Sequence, residues 1–223
     1  MSKVVFVDMG ETLVSFIPKF HQPLYEFLVK KGYKVTEKQV FRAVSKQLGR
    51  EHFPDPVLGG LSELNFREVL YELKISPKKC LLEQLKNLTL LSGHWELFDD
   101  VKPFLNELKK DGYKIIMITN ATRSVYRIVD DLGLINYLDD IIASCDLGIM
   151  KPHPRIFRIA KEKYGTPIFH IGDIYEIDYV GALRAGINPL LLDRYNFYDD
   201  IKANKVKNLL QALKLIKNNW KFF

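Results

Sequence analysis

Four short stretches of this 223-residue chain carry residue types that could do chemistry together. Asp8 follows the apolar run Val4-Val5-Phe6-Val7, and Thr119-Asn120 closes a second apolar run that starts at Ile115. Lys151 sits in Gly148-Ile149-Met150-Lys151-Pro152-His153-Pro154, and Gly172-Asp173 follows a third apolar run, with Asp178 five residues further on. Two carboxylates brought together repel, and each then favours its protonated form. A hard divalent cation such as Mg²⁺, taking oxygen ligands from Asp8 and Asp173, relieves that repulsion. A lysine and a threonine hydroxyl beside them suit a bound phosphate. The chemistry in view is one cation, one carboxylate nucleophile and an anion cradle.

Those groups can meet only if the runs before them are strands of one sheet. The pattern predicts strands over 3–8, 114–119, 141–144, 168–171 and 189–192, alternating with helices over 101–111, 124–132, 156–164 and 179–185. Alternating helices and apolar strands imply a parallel sheet covered on both faces. In such sheets ligands sit outside the carboxyl ends of the strands, where Asp8, Thr119-Asn120 and Asp173 fall. Residues 18–91 read differently, as roughly four helices without a strong strand signal. Thr36-Glu37-Lys38-Gln39 is a capping-box signature there, and Ser76-Pro77 reads as an N-cap with proline at the first helical position.

Composition is that of an ordinary globular protein, 47% hydrophobic and 27% charged, enough for a sizeable core. The net charge of +6 belongs to the tail: residues 201–223 hold six lysines and no acid, which leaves 1–200 neutral. Val206, Leu209, Leu210, Leu213 and Ile216 form one helical stripe there, so the tail is expected to dock as a helix with its lysines in water. No nucleic-acid partner is expected, since that would want a basic face across a domain. Two cysteines 65 positions apart exclude a disulfide framework and make the cytoplasm the default compartment. No apolar run approaches the roughly 20 residues of a membrane span, so no membrane partner is expected either.

The four stretches, in order, resemble the motifs of the haloacid dehalogenase-like hydrolases. Asp8-Met9-Gly10-Glu11-Thr12-Leu13 is similar to the first motif, Thr119 to the second, Lys151 to the third and Gly172-Asp173 with Asp178 to the fourth. The resemblance implies a Rossmann-like α/β core with helices on both faces, over 1–14 and 93–223, and an inserted all-helical cap over 15–92. It implies a Mg²⁺-dependent phosphatase that hydrolyses a small phosphorylated metabolite through an aspartyl-phosphate. Asp8 and Lys151 would be catalytic. Thr119, Asn120 and Lys151 would hold the phosphoryl group. Asp8, the Gly10 carbonyl and Asp173 would bind the metal, with Asp178 in its outer shell or orienting Lys151. Gly10 stands where the family usually has its general-acid aspartate, and the expectation is that this replacement sets the enzyme apart. Glu11, or a cap group such as His21 or His52, is then a candidate replacement. Arg42, Arg50 and His52 are candidates for substrate contact. The alternatives are a 2-haloacid dehalogenase, and a catalytically weakened member serving as a binding or regulatory module. The oligomeric state expected is monomer or homodimer. The two cap connections, near 13–16 and 91–95, are the expected hinges.

Overall fold

The computed structural model describes residues 3–61, 63–90 and 93–219. The chain opens with strand β1 (Val4–Val7) and a short strand β2 (Val14–Ile17). Four helices follow: α1 (Gln22–Lys30), α2 (Glu37–Leu48), α3 (Phe66–Glu72) and α4 (Lys79–Leu85). Strand β3 (His94–Leu97) returns the chain to alternating elements: α5 (Val101–Lys110), β4 (Lys114–Thr119), α6 (Ser124–Asp131), β5 (Asp140–Ala143) and the short α7 (Ser144–Leu147). After these come α8 (Pro154–Tyr164), β6 (His170–Gly172), α9 (Val180–Arg184), β7 (Pro189–Leu192), β8 (Lys205–Val206) and α10 (Leu209–Asn219).

Six of the strands form one parallel sheet in the order β5-β4-β1-β6-β7-β8. The central strands are buried on both faces because successive side chains point to opposite sides and each side has its own helices. Val5, Val7, Ile115 and Met117 face α5, α6 and α10, meeting Phe104, Leu105, Ile128 and Leu209. Val4, Phe6, Ile116 and Ile118 face α8 and α9, meeting Ile156, Phe157 and Ala182. The architecture is therefore a Rossmann-like parallel sheet with helices on both faces, and α1–α4 form a helical cap inserted after its first strand.

The cap has an apolar cluster of its own, built from Leu24, Leu28, Val40, Val44, Val69, Leu70 and Leu85. Ile177, which belongs to the core sheet's side of the chain, is buried in that cluster. The capping box is formed: Thr36 Oγ1 accepts from the Gln39 amide, and the Gln39 side chain accepts from the Thr36 amide. A second seam lies along 52–60, where His52 O accepts from Met150 N (3.0 Å) and Gly59 O from Ser144 Oγ (2.8 Å).

Several elements differ from the sequence reading, each for a physical reason. The two cap connections are not separate strands of loop: β2 and β3 pair antiparallel, Val14 with Leu97 and Ile17 with His94. Four residues on each side are too short to show a period. Val206, expected on the tail helix, is instead in the edge strand β8, paired with Leu192. Leu209, Leu213 and Ile216 of the expected stripe are buried, joined by Ala212, while Leu210 is 42% exposed, because the helix starts three residues after Val206. Helix α4 begins at Lys79 with Lys78 as its N-cap, two residues beyond Pro77. Lys217 docks the last helix on α5 through Glu107 (2.7 Å) and Asp111 (3.0 Å). The C-terminal Trp220-Lys221-Phe222-Phe223, a candidate packing segment, lies outside the described residues. No helix among the described residues is long and apolar enough to cross a membrane.

Phe104 is fully buried where α5 meets the sheet. Phe104→Ala should lower stability by about 3–5 kcal/mol, read by urea denaturation as a lower midpoint at unchanged slope.

Candidate active site

The strand order creates the site. The three neighbouring strands β4, β1 and β6 end in Thr119, Val7 and Gly172, so their carboxyl ends deliver Thr119-Asn120, Asp8 and Asp173 side by side. Lys151 enters from the segment between α7 and α8. Its ammonium donates to Asp8 Oδ1 at 2.5 Å and to Asp178 Oδ1 at 2.7 Å. The lysine is only 1% exposed.

Two contacts hold Lys151 in that position. The Asn120 side chain grips its backbone from both ends, Nδ2 donating to Lys151 O (2.7 Å) and Oδ1 accepting from Lys151 N (2.8 Å). Asp178 is fixed in turn by His170, whose Nε2 lies 2.9 Å from the same Oδ1 that receives Lys151. The Asp178 carboxyl lies flush against Gly172: a Cβ there would come within 2.2 Å of its Cγ, so any side chain would expel it. Ser144 Oγ accepts from the Ala121 amide at 3.0 Å, fixing the turn after Thr119.

Electrostatics follow from burying three acids around one base. Burial pushes the Asp8 carboxyl up to about 6, against the pull of Lys151 and with the Asp178 charge adding to the rise. Burial, with the charges of Asp8, Asp178 and Glu11, pushes Asp173 well above the usual carboxylate range. Burial would raise Asp178 too, but Lys151 and His170 outweigh it and hold it at about 2. Burial lowers His170, against the pull of the Asp178 carboxylate that its Nε2 faces at 2.9 Å. The two carboxylates outweigh burial at Lys151 and raise it.

One carboxylate oxygen from each of Asp8, Asp173 and Asp178 falls within a span of 4.8 Å. With all three ionised, three carboxylates against one ammonium would leave two uncompensated negative charges in a buried, oxygen-rich pocket, a donor set that fits a hard divalent cation. This corrects the expectation that replacement of the family's usual general-acid aspartate by Gly10 sets the enzyme apart. The glycine at position 10 does not interrupt the cluster, which is an intact set of three acids.

Asp8, Gly10, Thr119, Asn120, Lys151, Asp173 and Asp178 all line one cavity between core and cap. The other sequence candidates lie elsewhere. His21 is bonded to Glu37 (3.0 Å) within the ring cluster of Phe20, Phe41 and Phe197. His52 is in the 52–60 seam. Arg42 pairs with Asp200 (2.8 Å) and lies over the Tyr198 ring, and Arg50 pairs with Glu68 and Glu72 (both 2.7 Å). Glu11 lines the cavity wall, but both its oxygens are engaged, by the Phe16 amide (2.9 Å) and the Tyr195 hydroxyl (2.8 Å). His170, Ser144 and Tyr195 were missed from the sequence. His170 and Ser144 are single polar residues in or beside an apolar run, and Tyr195 lies in the polar stretch Asp193-Arg194-Tyr195-Asn196, so no spacing singles any of them out.

The proton balance gives a pH test. In the folded chain Asp8 and Asp173 keep protons that the unfolded chain releases near pH 4, so the stability of metal-free protein should fall as pH rises from about 4 through about 6. Asp178 works in the opposite sense below that window: its contribution, complete above about pH 4, is lost as pH drops toward about 2. Thermal melts of chelator-treated protein from pH 4 to 8 read the first effect, which should shrink in Asp173→Asn. A melting temperature that holds or rises equally in both proteins would refute it.

Comparison with known proteins agrees with this geometry. The family model described as haloacid dehalogenase-like hydrolase matches residues 2–186. The glyceraldehyde 3-phosphate phosphatase of Methanothermobacter thermautotrophicus is 24% identical over 206 residues, 86% of each chain. The haloacid dehalogenase-like hydrolase domain-containing protein 3 of Danio rerio is 34% identical over 104 residues, 45% of this chain and 43% of that one, so the match spans less than half the length of that relative. The crystal structure of an HAD phosphatase from Thermococcus onnurineus superposes with a TM-score of 0.59 at 21% identity, covering 97% of this chain and 98% of the other, and shares its fold. With a family match over most of its length, on a sheet whose adjacent strand ends gather the motif residues, the chain belongs to the haloacid dehalogenase-like hydrolases.

Proposed function

We propose that the protein is a Mg²⁺-dependent phosphomonoesterase acting on a small phosphorylated compound. The observation that carries this reading is the Asp8 carboxylate, held by Lys151 at 2.5 Å and facing the cavity beside Asp173. In this reading Asp8 attacks phosphorus, the bond to the ester oxygen breaks, and the alkoxide departs and takes a proton from solvent, which the later hydrolysis returns. Water then hydrolyses the aspartyl-phosphate to release phosphate and restore Asp8. The Thr119 hydroxyl and the Asn120 amide hold phosphoryl oxygens. Lys151 offsets negative charge on the nucleophile and on the transferring group. Asp178 orients Lys151 from outside the metal's ligands. Asp8, Asp173 and the Gly10 carbonyl hold Mg²⁺, which would supply the positive charge that lets a dianionic phosphate approach a carboxylate. The domain division proposed is a core of 1–14 and 93–223 with a cap of 15–92, so the first junction falls within β2 and the second just before β3.

Turnover of a generic aryl phosphate, with and without Mg²⁺, tests the reading. Asp8→Asn should lose at least about 10³ in rate, the scale of losing covalent machinery. Asp173→Ala should move the Mg²⁺ requirement to much higher concentration. Metal-independent halide release from a 2-haloacid, without phosphate ester hydrolysis, would overturn the proposal.

A further inference from the structure

The cavity over Asp8 has a volume of about 680 Å³, within the roughly 300–1,000 Å³ range of sites that enclose whole small molecules. A phosphoryl group accounts for only the floor, where Asp8, Lys151 and Asp173 lie. Above it the cavity is walled on one side by Thr122, Ser124, Val125 and Ile128 of the core and on the other by the cap. Val44 and Leu48 come from α2, Phe66 from α3, Leu82 from α4, and Leu88 and Leu90 from the segment after it. All six belong to the cap's own apolar cluster, so the cap helices leave part of that cluster open toward the core instead of closing on themselves.

The apolar wall begins at the reacting centre. Phe16 lines the cavity, and its ring edge lies against Gly10, where a Cβ would come within 3.2 Å of Phe16 Cε2. The edge of an aromatic ring therefore lies against the backbone two residues after Asp8. The charged and amide residues on the cap side, Glu63, Asn65, Arg67 and Lys86, are all exposed and so front on solvent at the mouth. A polyhydroxylated body would lose its hydration against this wall and recover few hydrogen bonds. A hydrocarbon or aromatic body would gain from leaving water.

We infer that the substrate is a phosphomonoester whose alcohol carries an apolar body, seated in the cap against Phe16 and the α2–α4 wall. This rests on the proposed phosphatase reading and adds the class of alcohol. The chemistry is the same ester hydrolysis; the apolar body contributes binding.

A series of n-alkyl phosphates from ethyl to hexyl tests this, because the alkoxide leaving group stays nearly constant while apolar area grows. Burying one methylene is worth about fourfold, so kcat/KM should climb by up to about that factor per carbon, mainly through KM. The n-alkylphosphonates, which cannot be hydrolysed, should inhibit with affinities that climb in parallel. Leu88→Gln should flatten both series, and Phe66→Ser does the same test should the first variant fail to fold. If ethyl and aryl phosphates are hydrolysed but neither series climbs, the apolar-substrate inference is overturned and the phosphatase reading stands. If no ester is hydrolysed yet phosphonates bind more tightly with chain length by calorimetry, the phosphatase reading falls and the apolar site stands.

Discussion

The shared lysine organises everything around it. Lys151 places one ammonium between Asp8 and Asp178 in a space almost closed to solvent. Taking such charges out of water costs several kcal/mol per ion unless geometry and hydrogen bonding are good, and deleting one partner leaves the other stranded. The surrounding contacts are those such a group requires. Asn120 clamps the lysine's backbone, His170 shares the far carboxylate, and Gly172 leaves that carboxylate room. Asp173 has no comparable base. Its raised proton affinity and its position within 4.8 Å of the other two acids make it the point where positive charge is missing.

Sheet order and site chemistry are one fact seen at two scales. The strand ends converge because β1 runs between β4 and β6, so the chain reverses its direction of growth beside Asp8. The helices that cover the two faces leave the carboxyl edge open, and the cap covers that edge. The cap is anchored on both flanks. Ile177 is seated in its apolar cluster on one side, and the 52–60 segment hydrogen-bonds to Met150 and Ser144 on the other. Lys38 and Arg42 on α2 add ion pairs to Asp199 and Asp200 on the core.

Much of this was legible in the sequence because apolar runs and strand-end polar residues coincide. The run 114–119 emerges with those bounds, and Asp8, Thr119, Asn120, Lys151, Asp173 and Asp178 meet as the alternating pattern implies. What the sequence hid was mostly pairing at a distance. The β2–β3 ribbon joins residues about 80 positions apart through strands of four. His170 and Ser144 gain their roles only from neighbours that the fold supplies. The cavity wall was invisible for another reason. Residues such as Val44 and Leu88 carry an ordinary helical or apolar signal whether they pack against a neighbour or face a void.

The β2–β3 ribbon has a bearing on how the cap and the core can change independently. It brings the entry and exit of the insertion together, with Ile17 paired to His94 at one end and Val14 to Leu97 at the other. The entropy of closing a loop grows only logarithmically with its length, so about 75 residues cost little more than 35 once those ends are pinned. The core then registers the insertion as a closed stem, whatever lies beyond it. Cap helices can lengthen, shorten or repack their inner wall with little penalty to the sheet that holds Asp8 and Lys151. Diversity in what the site admits can accumulate above the stem while the strand ends beneath it stay in register.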